Sequence, residues 1–153
     1  MDNSKIITIE RDGKVFAILF KKSIKADGVR FLTPQNYTLQ LGLIEHPGNH
    51  VIRTHAHNQK IKYHVDTTQE FLYIEKGQVR IDLLDMKGDF IKRVLLSAKD
   101  FILFVDGGHA IKILKKARIL EIKQGPYPGD KLAKIFFDNY DPSKHTNHNK
   151  RSK

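Results

Sequence analysis

The sequence contains no cysteine. That excludes disulfides, thiolate nucleophiles and cysteine-based zinc or iron–sulfur sites, and it fits a reducing cytosol. No stretch approaches the ~18 consecutive apolar residues that a membrane span needs. The opening Met1-Asp2-Asn3-Ser4-Lys5 lacks the basic start and apolar run of a secretory signal. The expectation is a soluble, cytoplasmic protein with no membrane partner. Helical periodicity is scarce, and there is neither an internal repeat nor a recognisable nucleic-acid-binding motif. Stacking aromatics along a basic groove are also lacking, which argues against nucleic acid as a partner.

What is present is a chain of 153 residues, 40% hydrophobic, with a formal charge of +10. This is the size of one ordinary domain and enough to bury a core. Lys144, Lys150, Arg151 and Lys153 against Asp141 leave residues 141–153 at +3 and the remaining body at +7. A body this basic suits an anionic partner such as a phosphorylated metabolite or sugar nucleotide; a lysine-rich solvated surface is the plainer reading. Residues 1–140 read as a single domain. Residues 141–153 carry no large apolar side chain and read as a disordered basic tail.

Short apolar stretches recur every eight to twelve positions between turn residues, the spacing of an all-β sandwich or barrel. Strands are expected at 6–10, 15–20, 37–45, 50–57, 70–75, 79–84, 90–96, 101–105, 110–114 and 117–123. Asp12-Gly13 suits a tight hairpin, and Lys76-Gly77 reads as a turn between two strands. Alternation is clear where Val79, Ile81 and Leu83 intersperse with Gln78, Arg80 and Asp82. A short helix is expected at 131–137. Residues 58–69 form a polar insertion.

The chemistry concentrates in a few residues. His55 and His57 stand at i and i+2 of an expected strand, so both imidazoles would project to one face. Among eight histidines such a pair is weak by itself, and His145 and His148 in the tail read as solvated. Glu70 opens a strand, and Asp106-Gly107-Gly108-His109 sets a third histidine after a glycine turn. Three imidazoles and one carboxylate suit zinc, iron, manganese, nickel or cobalt. Arg53 shares strand parity with the histidine pair, and an inward arginine needs an anion or an internal carboxylate. Glu121 is a candidate for that carboxylate or for a general base; an outward salt bridge is equally compatible.

Gly48, His55, His57, Glu70 and Gly77, followed by residues 101–109, resemble the two motifs of the cupin family. The match spans residue 39 to about 127. Gln69-Glu70-Phe71-Leu72-Tyr73-Ile74-Glu75-Lys76-Gly77 and Glu121-Ile122-Lys123-Gln124-Gly125-Pro126-Tyr127 most resemble the WbuC-type metalloproteins associated with polysaccharide biosynthesis. The resemblance implies a double-stranded β-helix, or jelly-roll barrel, with a short C-terminal helix. It further implies one divalent metal ion on His55, His57, Glu70 and His109, and a homodimer, with strands 6–10 and 15–20 as interface candidates. Its function would be a metal-dependent isomerase or epimerase acting on a small anionic or sugar-derived molecule, or a non-catalytic metallocupin that senses or stores one. Two features depart from the family pattern. Residues 58–69 lengthen the gap before Glu70, and that loop either lies at the barrel mouth, disrupts the site or brings in His64 as a ligand. Arg53 and His64, with Lys60 and Lys62, are also candidates to bind an anionic substrate, a solvated loop being the plainer reading. Phe104 and Asp106 stand where a proline and a glycine are usual, leaving Gly107 and Gly108 to make the turn.

Overall fold

Strands β1 (Ile6–Arg11) and β2 (Lys14–Phe20) pair antiparallel around the Asp12-Gly13 turn, where both residues adopt positive φ. They open a computed structural model that describes residues 5–143. A small separate sheet pairs β3 (Gly28–Phe31) with β4 (Gly42–Glu45). The main sheet is completed by β5 (Glu70–Leu84), β6 (Phe90–Ser97), β7 (Phe101–Phe104) and β8 (Gly108–Lys123). Its order is β1-β2-β7-β5-β6, with β8 on the other side of β5. The result is an all-β architecture, a curled antiparallel half-barrel.

β5 is the organising element. The sequence reads Lys76-Gly77 as a turn between two strands, but β5 runs through it. Gly77 lies at φ +88 among register shifts between Ile74 and Val79, and an added Cβ would overlap the carbonyl oxygens of Lys115 and Lys116. This glycine marks a bulge and a close backbone approach rather than a hairpin. The bulge bends β5, so its first half pairs with β7 and its second half with β6, while β8 follows it throughout.

Directly opposed residues share a face of the sheet. The inner face of the curl therefore carries Leu72 and Ile74 from one half of β5 and Val79, Ile81 and Leu83 from the other. They join Leu19, Leu96 and Ile102 in one buried cluster. Each such fully buried aliphatic side chain contributes on the order of 1.5–3 kcal/mol of transfer free energy. On the outer face Ile18, Phe20 and Leu103 pack beneath the β3–β4 sheet and its flanking loop.

Polar ties fix the curl. Asp82, 1% exposed, accepts from Arg93 at 2.6 and 2.9 Å, from Tyr140 at 2.9 Å and from Arg80 at 3.3 Å. Arg80 also donates to the carbonyl of Pro142. Residues 141–143, expected to begin a loose tail, are thus held against the sheet; residues 144–153 of that tail lie outside the described residues. The helix expected over 131–137 is the single turn α1 (Asp130–Ala133). β2 lies between β1 and β7, with Phe16 to Phe20 buried. Of the two strands expected at a dimer interface, only β1 therefore offers an open edge. No helix among the described residues is long and apolar enough to cross a membrane.

Candidate functional site at the inner end of the half-barrel

Glu70, the first residue of β5, lies opposite Lys123 of β8 and Phe104 of β7. His109 stands at the other end of β8, paired with Leu83 near the end of β5. In a straight ladder these positions would lie far apart. The bend at Gly77 carries one end of β5 over the other, so that the His109 Nε2 and Glu70 Oε1 atoms come within 3.6 Å. Phe104 stacks on the His109 ring with centroids 4.0 Å apart and planes inclined by 9°. The turn before His109 is carried by Gly107, at φ +72.

At 3.6 Å the pair lies beyond hydrogen-bond range. Both side chains are about a quarter exposed, at 26% for His109 and 22% for Glu70. Burial pushes the imidazole down to about 4, against the opposing pull of Glu121, so the ring is neutral at neutral pH. Burial, followed by the negative field of Glu121, pushes the Glu70 carboxyl above the usual carboxylate range, with Lys123 and Lys134 acting in the opposite sense. A neutral imidazole with an available lone pair and a carboxyl group therefore sit side by side, one rim of the pair formed by an aromatic ring. The arrangement suits donation to a cation or exchange of a proton with a bound molecule.

Glu121 occupies the next inner-face position, opposite Leu72. Its Oε1 accepts from the Lys123 ammonium at 2.6 Å, and that ammonium lies 4.7 Å over the Tyr127 ring. The Tyr127 hydroxyl donates to Asp130, and Asp130 pairs with Lys134 at 2.8 Å. These contacts hang the 127–134 segment over the inner end. Sequence reasoning raised Glu121 as an inward carboxylate but did not include Lys123, Lys134 or Phe104. Lys123 was readable from its shared parity with Glu121. Lys134 falls inside the helix expected over 131–137 but lies just past the end of α1, and nothing in the sequence pointed it toward the site.

The strand expected at 50–57 is absent. Every residue from 46 to 68 is exposed and none belongs to a strand. This stretch is rich in histidine and other polar residues, and apolar residues within it such as Val51 and Tyr63 are 85% and 83% exposed. It buries too little to oppose the entropy of ordering. His55 and His57 lie there edge-to-face, centroids 5.4 Å apart, with His55 Nδ1 donating to the Arg53 carbonyl at 2.8 Å. Arg53 is itself exposed rather than inward. His64 is exposed and pairs with Asp66 at 2.9 Å. Among the described residues no group of three or more metal-ligating side chains is assembled. The structure thus brings together Glu70 and His109 from the expected set and leaves His55, His57, Arg53 and His64 on the segment outside.

That segment ends beside the site. Gln69, 4% exposed, receives Leu39 N–H at 3.0 Å and Thr38 Oγ1 at 3.2 Å on its side-chain oxygen. Its own N–H donates to the Gln124 side chain at 2.7 Å. This clamp fixes the start of β5, and with it Glu70, against the end of β8. No family model, curated protein or solved structure matches the chain.

Proposed function

We propose that the inner end of the half-barrel is the metal centre of a cupin-type protein. In this reading the protein binds a small anionic or sugar-derived metabolite and, by resemblance, isomerises or epimerises it in polysaccharide biosynthesis. The observation that carries the proposal is the approach of Glu70 and His109. A carboxyl group from the start of β5 and an imidazole held neutral at the start of β8 meet where solvent is partly excluded. Such a pair supplies two of the donors that a zinc, iron, manganese, nickel or cobalt ion accepts.

The residues fit the ion in part. Glu70 and His109 are adjacent, while His55 and His57 form a second pair on the open segment. Only twelve residues separate His57 from Glu70, and a chain of that length reaches roughly 40 Å when extended. The histidine pair is therefore tethered within range, and ion binding would close residues 46–68 over the site. When bound, the ion would act as a Lewis acid on a carbonyl or hydroxyl group of the ligand. The chain's own contribution is distinct. His109 presents a lone pair, Phe104 holds the ring and excludes water from one side, and Glu121 stands near enough to influence the charge of both groups.

Elemental analysis of the full chain beside His57→Ala tests the assignment. About one equivalent of transition metal in the parent, lost in a still-folded variant, is expected; equal content in both would reject it. Loaded protein is then offered carbonyl sugars. Product formation identifies an enzyme, whereas thermal stabilisation without product identifies a binding protein.

A further inference from the structure

We propose that Lys123 and Lys134 form a two-point anchor for a phosphate group, so that the metabolite taken by this site is a phosphate monoester. The inference rests on the reading of the inner end as the ligand site and names the class of ligand.

Lys123 lies on the inner face by its register with Glu70, and its side chain is only 25% exposed. An inward lysine is costly unless its charge is answered. Glu121 answers it at 2.6 Å. Lys134 reaches the same region from beyond α1 and is held by Asp130 at 2.8 Å. Tyr127 links the two, lying under the Lys123 ammonium and donating to Asp130. The fields of both ammonium groups act on Glu70 and on His109. Two cations from different elements therefore converge on one rim, each already matched by a single carboxylate.

That matching selects the ligand. A monoanionic carboxylate carries no more charge than Glu121 or Asp130 and gains little by replacing either. A phosphate monoester carries about −1.5 to −2 near neutral pH and offers three strong acceptor oxygens. It can engage both ammonium groups at once. Lysine suits this task because its ammonium is a compact point charge on a flexible stem, able to leave a carboxylate for a stronger anion. The remainder of the molecule would extend toward Glu70 and His109.

Calorimetric titration of the full chain with inorganic phosphate, and separately with acetate, tests the anchor. Each titration is run on the metal-loaded and the chelator-treated protein. Phosphate should bind at least ten-fold more tightly than acetate. Lys123→Gln and Lys134→Gln should each weaken phosphate at least ten-fold, Lys134→Arg should restore most of the loss, and Lys116→Gln on the exposed middle of β8 should leave affinity unchanged. Equal losses in Lys116→Gln, or equal affinities for phosphate and acetate, would overturn the anchor. Should Lys123→Gln unfold, as its melting curve would show, Lys134→Gln decides alone. The metal content of Lys134→Gln should match the parent. If His57→Ala retains its metal, the metal reading fails, while the titrations on chelator-treated protein still decide the anchor.

Discussion

Replacing His109 with phenylalanine should flatten the acid end of the stability profile of the metal-free protein. In the unfolded chain an imidazole titrates near 6.5, whereas burial holds His109 at about 4 in the folded state. A depressed histidine pKa means that the unfolded state binds more protons between these values, so stability falls as pH drops through the window. The full effect of this separation is about 3 kcal/mol, and about 2 kcal/mol of it should appear between pH 7 and pH 5. The groups facing the ring are Glu70, Glu121, Lys123 and Lys134, with Phe104 stacked on it. Glu70 acts in the opposite sense: its raised pKa lets the folded state take up a proton early, relieving a penalty as pH falls. Asp82 adds an ordinary acid loss, because Arg93, Tyr140 and Arg80 outweigh the upward push of its burial. Glu70 and Asp82 are retained in the variant, and phenylalanine preserves the stack on Phe104. Urea unfolding of both proteins at pH 7, 6 and 5, with a chelator present, isolates the His109 contribution. The parent should lose about 2 kcal/mol more than His109→Phe across that range. Parallel profiles would refute the claim that this imidazole is held neutral at the inner end.

Further outcomes follow from the fold. Asp82→Ala leaves Arg80 and Arg93 facing each other in a buried position and should cost about 3–5 kcal/mol in chemical denaturation; a loss under 1 kcal/mol would mean that the network is solvated. Tyr140→Phe removes one hydrogen bond to that carboxylate and should cost about 1.5–3 kcal/mol, together with faster amide exchange at residues 139–143 by mass spectrometry. Gly77→Ala places a side chain at φ +88 against the backbone of β8. It should destabilise by more than about 3 kcal/mol, and an unchanged melting temperature would show that the bend of β5 does not depend on this close approach.

The strands that the sequence marked most clearly are short apolar runs bounded by firm turn chemistry. β1, β2, β6 and β7 fall within a residue or two of the expected bounds; β6 shows the alternation of a strand with one wet face, whereas β2 and β7 are continuous apolar runs covered on both faces. Gly77 was misread for a physical reason: a glycine needing positive φ looks the same in sequence whether it makes a hairpin or a bulge. The consequence was large, since the continuous β5 is what folds the sheet back and joins Glu70 to His109. β3 went unforeseen because its four residues carry no alternation long enough to stand out. His55 and His57 satisfied the parity rule for a strand, yet parity has force only where a neighbouring strand supplies hydrogen bonds and a face to bury. Residues 46–68 have neither. Glu70 and His109 could be suspected from their positions at strand starts, whereas the lysines of the rim depend on how the 127–134 segment crosses the end of the sheet.

The most direct test of the metal centre is a paramagnetic titration of the full chain with manganese(II), following the histidine ring resonances by NMR. The account predicts that His55, His57 and His109 broaden together within the first equivalent, and that His57→Ala abolishes the effect at His109. Broadening confined to His55 and His57, or to His145 and His148, with His109 unchanged, would contradict it.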